Sequence, residues 1–305
     1  MSRRRSGRVL CCVCAIAIVG WSTMLTAQMA REIRNENGIR LHVAEEDTQP
    51  VLHVLLPGMG DAGHSIEILF PEHVTVRRRG GTEGERLYLY QPGKSRERPA
   101  WRMGGHSLEY ERDLKGNVHL LARATLEEDG VLFHYELQNR SDVDYEMALA
   151  ITDPRMISTL HDERLERTYV HHKDGFELLA SETPERLTMP LNQWLPLRYM
   201  ASYTWPVPAL RVEKRADGIT YYNKSRAVDE PMIATLSADR KWVVASFTKT
   251  TGNVWSNPEL TCQHVDPAKP LPAGGSAVIE VKVLIFKGTL EQALEKVVAQ
   301  RGLLQ

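Results

Sequence analysis

The chain has 305 residues, with 38 Lys+Arg against 39 Asp+Glu, 42% hydrophobic and 7% aromatic residues. These are the values of an ordinary globular protein, and they exclude collagen-like, coiled-coil and disordered classes. A charge this close to neutral gives no electrostatic reason to hold a phosphate backbone, so no nucleic-acid partner is expected.

The first predicted element is an export signal at 1–27. Arg3, Arg4, Arg5 and Arg8 precede an apolar run at 9–19, and Leu25-Thr26-Ala27 offers a small residue for cleavage. The run is shorter than the about 20 residues of a membrane span, so membrane contact is expected only through an uncleaved signal anchor. The predicted location is periplasmic or extracellular. Losing the signal removes four arginines and no acid, which leaves a mildly acidic chain. Cys11, Cys12 and Cys14 leave with it, and Cys262 then stands alone. A lone cysteine makes neither an intramolecular disulfide nor a four-cysteine zinc site. It reads as a small buried hydrophobe.

Past the signal, the period is that of strands. Val118, Leu120, Ala122, Ala124 and Leu126 alternate with polar residues, a Glu127–Gly130 turn follows, and Val131, Phe133, Tyr135 and Leu137 resume the alternation. A third strand carries Tyr145, Met147, Leu149 and Ile151. Further strands are predicted at 39–43, 51–56, 73–77, 86–90, 107–110, 169–171, 210–213, 218–222, 242–247 and 277–285. A second helix at 161–167 is weakly indicated. One helix is well marked near the C-terminus: Thr289 and Gln292 form a capping-box pattern, and Leu290, Ala293, Leu294, Val297 and Val298 make one apolar stripe. The predicted fold is all-β, a large two-sheet antiparallel β-sandwich with a C-terminal α-helix, in a single domain over 33–305.

No motif names a reaction. Leu55 to Asp61 has the glycines of a hydrolase loop, but no Gly-x-Ser-x-Gly elbow accompanies it. P-loop, dinucleotide and His-Glu-x-x-His patterns are absent from the sequence. The densest chemistry lies at 250–267, predicted to be largely loop. There Trp255 offers a flat apolar face to a pyranose, Asn257 and Asp266 offer hydroxyl partners, and His264 offers an acid or base with an ordinary pKa of about 6.5. Arg167, Tyr169 and His171 fall in register on one face of a predicted strand, where they suit a sugar carboxylate and a proton transfer. Trp205, among Tyr203, Pro206 and Pro208, is a candidate groove wall. A metal site from His171, His264 and Asp266 is chemically allowed, but no ligand spacing supports it. No metal and no cofactor are expected.

The stretches Glu166-Arg167-Thr168-Tyr169-Val170, Asn257-Pro258, Cys262 through Pro267, Leu271-Pro272 and Phe286 through Leu290 resemble those of uncharacterised exported bacterial proteins. Together with the strand count, the chain resembles the galactose-mutarotase-like supersandwich. That resemblance implies a carbohydrate partner and a site on the concave face of one sheet. Sugar mutarotases use a glutamate and two histidines, for which Glu259 and His264 are the loose matches here. The expectation is an exported carbohydrate-binding or carbohydrate-active protein, an epimerase, lyase or glycosidase. In that site His264, His171 and Tyr169 do the chemistry, and Trp255, Asn257, Asp266, Arg167 and Trp205 bind substrate. The alternative is a non-catalytic envelope module that docks a protein or a surface polymer.

Overall fold

The structure, a computed structural model, describes residues 32–44, 49–60, 63–90, 97–181, 228–250 and 254–305 with their side chains, and two further strands by backbone alone. The signal at 1–27, Asn253 and the aromatic and proline stretch that holds Trp205 lie outside the described residues. In chain order the first strands are β1 (Glu32–Arg34), β2 (Arg40–Val43), β3 (Val51–Leu55), β4 (Ile66–Leu69), β5 (Val74–Arg78), β6 (Glu85–Leu87) and β7 (Arg102–Gly104). They are followed by β8 (Ser107–Leu114), β9 (Val118–Glu127), β10 (Gly130–Asn139), β11 (Tyr145–Ala150), β12 (Asp153–Met156), β13 (Thr168–His172) and β14 (Gly175–Leu178). The last are β15 (Arg211–Lys214), β16 (Thr220–Asn223), β17 (Met232–Leu236), β18 (Trp242–Phe247), β19 (Ala268–Leu271) and β20 (Ser276–Lys287), then helix α1 (Leu290–Gln300). Residues Ile33 to Gln305 form one compact unit.

Three larger antiparallel sheets build an all-β sandwich. One runs β1-β2-β3-β4-β12, a second β19-β11-β5-β6, and the largest β14-β13-β17-β18-β20-β10-β9-β8-β7. β15 and β16 pair separately. All three larger sheets turn their apolar faces to one core. Phe133 and Tyr135 of β10 and Tyr110 of β8 are wholly buried there, each ring contributing about 1.5–3 kcal/mol by burial. Their polar ends are satisfied: Tyr110 Oη donates to the Phe70 carbonyl at 2.7 Å, and Tyr135 Oη sits 2.6 Å from Thr152 Oγ1.

The outer face of the nine-stranded sheet is divided. Over β17, β18 and β20, Ala293, Val297 and Leu304 close a second apolar cluster with Met232, Ala234, Val243, Phe247 and Leu284. Helix α1 starts at the expected capping box: Gln292 N–H donates to Thr289 Oγ1 at 3.3 Å, and Thr289 N–H donates to Gln292 Oε1 at 3.0 Å. Val298, expected in the apolar stripe, is exposed. The other half of this face, over β7, β8, β9 and β10, carries polar side chains. The weakly indicated helix at 161–167 does not form. Asp162 accepts the backbone N–H groups of Glu166 and Arg167 at 3.1 and 2.7 Å, a local arrangement that competes with a helix.

Candidate functional site

Two polar constellations stand out among the described residues. The first gathers three of the expected site residues. Arg155 and Cys262 form an antiparallel bridge, and so do Trp255 and His264, so the 254–266 segment runs alongside β12. Gln263 turns inward and donates to Thr235 Oγ1 and the Val244 carbonyl, both at 3.0 Å. Cys262 and His264 turn the other way, toward Asp153 and Arg155. His264 Nε2 is 3.1 Å from Asp153 Oδ1, and its Nδ1 is 3.5 Å from Asp266 Oδ1. The Trp255 ring stacks on the imidazole at 3.8 Å and 5°, and its Nε1 donates to Asp266 Oδ2 at 2.7 Å. Arg155 Nε donates to Asp153 Oδ2 at 2.7 Å.

This environment sets the protonation states. Burial pulls the His264 imidazole down, but the electrostatic interaction with Cys262 and the contacts with Asp153 and Asp266 outweigh it and hold the group well above its ordinary value. Burial pushes the Asp153 carboxyl up, and His264 with Arg155 brings it below the usual carboxylate range. The group differs from the expected sugar cleft. His264 is only 1% exposed, so it is not open to a substrate hydroxyl. One face of Trp255 is already taken by His264.

The remaining expected residues do not join it. Asn257 is buried and spends its side chain locally: its Oδ1 accepts from Leu260 N at 2.8 Å, and its Nδ2 donates to Cys262 Sγ at 3.2 Å. Arg167 lies before β13, not on it, and its guanidinium donates to the Leu236 carbonyl at 2.5 Å and to the His161 carbonyl. Tyr169 packs against the apolar cluster under α1. His171 Nδ1 pairs with Asp229 Oδ1 at 2.7 Å, and its ring meets Phe176 edge-on. The single cleft expected from sequence is therefore not assembled, and the chemically allowed trio of His171, His264 and Asp266 is not brought together. The physical reason is strand alternation: Tyr169 and His171 take the outer face of β13, while His264 is held against β12. Glu259 is exposed in a turn and does not accompany His264 either.

The second constellation is a row across five strands on the outer face of the nine-stranded sheet. Arg102 of β7 stands opposite Glu109 of β8, Glu109 opposite Arg123 of β9, Arg123 opposite His134 of β10, and His134 opposite Glu280 of β20. Arg102 Nε and Arg123 Nε donate to the two oxygens of Glu109 at 3.1 and 2.8 Å. His134 Nδ1 lies 2.9 Å from Glu280 Oε1, and Gln305 N–H donates to Glu280 Oε2 at 2.9 Å. The hydrogen bond from Arg123 holds the Glu109 carboxyl below its ordinary value, and the His134 contact does the same for Glu280. The row opens to solvent at one end and closes at the other: the Arg102 and Arg123 side chains are 50% and 42% exposed, His134 22% and Glu280 11%. Partly buried Leu121 and Leu132 occupy the neighbouring rows.

Sequence reasoning missed this row. Its signal is the polar half of the alternating stretches at 118–126, 131–137 and 277–285, which by itself reads as a wet sheet face.

No family model matches the chain, and no curated protein does. Its structure is similar to solved galactose mutarotase-like proteins. One, from Lactobacillus casei, has 11% identity over 83% of this chain and 99% of its own, with a TM-score of 0.48. A galactose mutarotase related enzyme from Lactobacillus acidophilus has 11% identity over 85% of this chain and 98% of its own, with a TM-score of 0.47. A polysaccharide lyase has 10% identity over 87% of this chain and 35% of its own, with a TM-score of 0.41. At these scores the likeness says nothing of this chain's activity.

Proposed function

We propose that this chain is an exported carbohydrate-active protein that takes a sugar on the outer face of the nine-stranded sheet. Export rests on the arginines and the apolar run of 1–27. The single observation that carries the sugar reading is the in-register row Arg102, Glu109, Arg123, His134 and Glu280, open to solvent at its two arginines beside Leu121 and Leu132. Forked guanidinium and carboxylate groups suit vicinal hydroxyls or a sugar carboxylate, and flanking leucines suit the apolar C–H edge of a ring. In this reading Arg102 and Arg123 bind substrate oxygens, with Glu109 fixing both guanidinium planes. Glu280, held ionised, is the proton acceptor, and His134 beside it is the donor.

The test is a thermal-shift screen against neutral and acidic sugars. A sugar at 100 times its dissociation constant stabilises by about 2.7 kcal/mol, on the order of 5–10 °C here. The shift is expected to vanish in Arg123→Ala. A flat response to every sugar, or one that survives Arg123→Ala, refutes the proposal.

One feature favours a second, non-catalytic reading as an envelope docking module. Charges alternate along the row and already pair with one another, as in a structural ladder. Sugar binding with no turnover in wild type, and undiminished in Glu280→Gln, would select it.

A further inference from the structure

We infer that Asp153, Cys262 and His264 form a binding site for one zinc-type divalent cation, apart from the outer row. One ligand atom from each residue lies within 4.8 Å of the others, and all three residues are buried. A carboxylate oxygen, a thiolate and an imidazole nitrogen together are a borderline-soft donor set, which suits zinc and disfavours calcium or magnesium. Tetrahedral zinc with bonds of about 2.0–2.3 Å places its ligand atoms roughly 3.3–3.8 Å apart, which small side-chain rotations reach from the present 3.1 Å between Asp153 Oδ1 and His264 Nε2 and the 4.8 Å limit of the trio.

Two observations beyond proximity point to a cation. The first is a buried carboxylate oxygen without a hydrogen bond. Asp153 Oδ1 makes none, although its residue is only 2% exposed, and its neighbour at 3.1 Å is His264 Nε2, the nitrogen that would share the cation with it. Burying such an atom unpaired is costly, and a cation in the centre removes that cost.

The second is that each ligand is oriented from behind. Arg155 takes the other oxygen of Asp153 at 2.7 Å, which leaves Oδ1 pointing to His264 Nε2. Asp266 faces Nδ1 of His264 at 3.5 Å and is itself fixed by Trp255 Nε1, which leaves Nε2 as the ligand. Asn257 Nδ2 donates to Cys262 Sγ at 3.2 Å, which fixes the direction in which the sulfur points. Carboxylate behind histidine and amide behind sulfur are the outer partners that metal ligands ordinarily have. Three protein ligands leave one tetrahedral position for water. Binding releases to solvent the Nε2 proton of His264 and the thiol proton of Cys262.

The experiment uses protein expressed from the full sequence, stripped with EDTA and titrated with zinc and, separately, with cobalt(II). One zinc per chain is expected, and cobalt is expected to give a thiolate-to-metal charge-transfer band. Cys262→Ser should lose that band, and Asp266→Asn should weaken zinc binding by roughly 10–100-fold while leaving one equivalent. No zinc bound, cobalt bound without the thiolate band, or unchanged affinity in Cys262→Ser would each overturn the site. The first of these outcomes would make the cluster a protonated His264 held between Asp153 and Asp266. If Cys262→Ser fails to fold, the cobalt spectrum of the wild-type protein decides. Arg123→Ala, which removes the proposed sugar contact, should keep the metal.

Discussion

Glu280 shows how a residue can be set by one neighbour. Its carboxyl is held below the ordinary value of about 4.3 first by the His134 hydrogen bond, against the opposing effect of burial. A carboxyl lowered in the folded state adds stability that is fully present above its unfolded pKa. That stability is lost as pH falls through the lower, folded value. Urea midpoints measured between about pH 3 and 6 should therefore fall more steeply with acid in the wild type than in Glu280→Gln. Equal slopes would mean that the His134 contact contributes nothing. The buried group around His264 differs from an exposed catalytic histidine because two carboxylates meet the two ring nitrogens while the Trp255 ring covers one face. Cys262, expected to be a small hydrophobe, is buried as expected, but it faces an amide, an imidazole and a carboxylate.

At the scale of elements, α1 is tied to the sheet by a buried charge. Lys282 of β20, with a side chain 2% exposed, pairs with Glu127 and, at 3.1 Å, with Asp129. Asp129 in turn takes Lys296 at 3.0 Å and Gln300 at 2.8 Å from the helix. Lys282→Ala should cost about 1–3 kcal/mol by equilibrium unfolding, because it removes a buried stem and one of the partners of Asp129, which keeps Lys296 and Gln300. Lys282→Met, which keeps the stem, should cost less. The β9–β10 turn depends on Gly130, with φ of +154° and no room beside it. A Cβ there would collide with the Val283 carbonyl of β20, so Gly130→Ala should cost at least about 2 kcal/mol in the same assay. The hairpin itself was legible because alternation and a glycine turn are local. β18 was legible to the residue, and so was the capping box of α1. β17 was not, because Met232–Leu236 is buried on both faces and has no period to read.

Across the whole molecule, both constellations are made by pairings distant in sequence. His134 and Glu280 are 146 positions apart, and Asp153 meets His264 only because the 254–266 segment lies along β12. Alternation tells which residues share a face of one strand, but not which strand lies next to it. The sequence therefore marked His264, Trp255 and Asp266 as neighbours along the chain and gave no sign of Asp153. It placed Arg123 and His134 on a wet face without the strand that brings Glu280 beside them. It also joined Arg167, Tyr169 and His171 to His264, although they belong to other surroundings. Among the described residues, a buried polar cluster thus lies beside β12 and an open row on the largest sheet.

The open row is the central claim, and calorimetric titration of the sugar that gives the largest thermal shift tests it most directly. The account predicts saturable binding to the wild type, weakened at least about tenfold in Arg123→Ala, a loss of 1.4 kcal/mol or more. Equal affinity in wild type and Arg123→Ala would contradict it and place sugar recognition, if any, elsewhere on the chain.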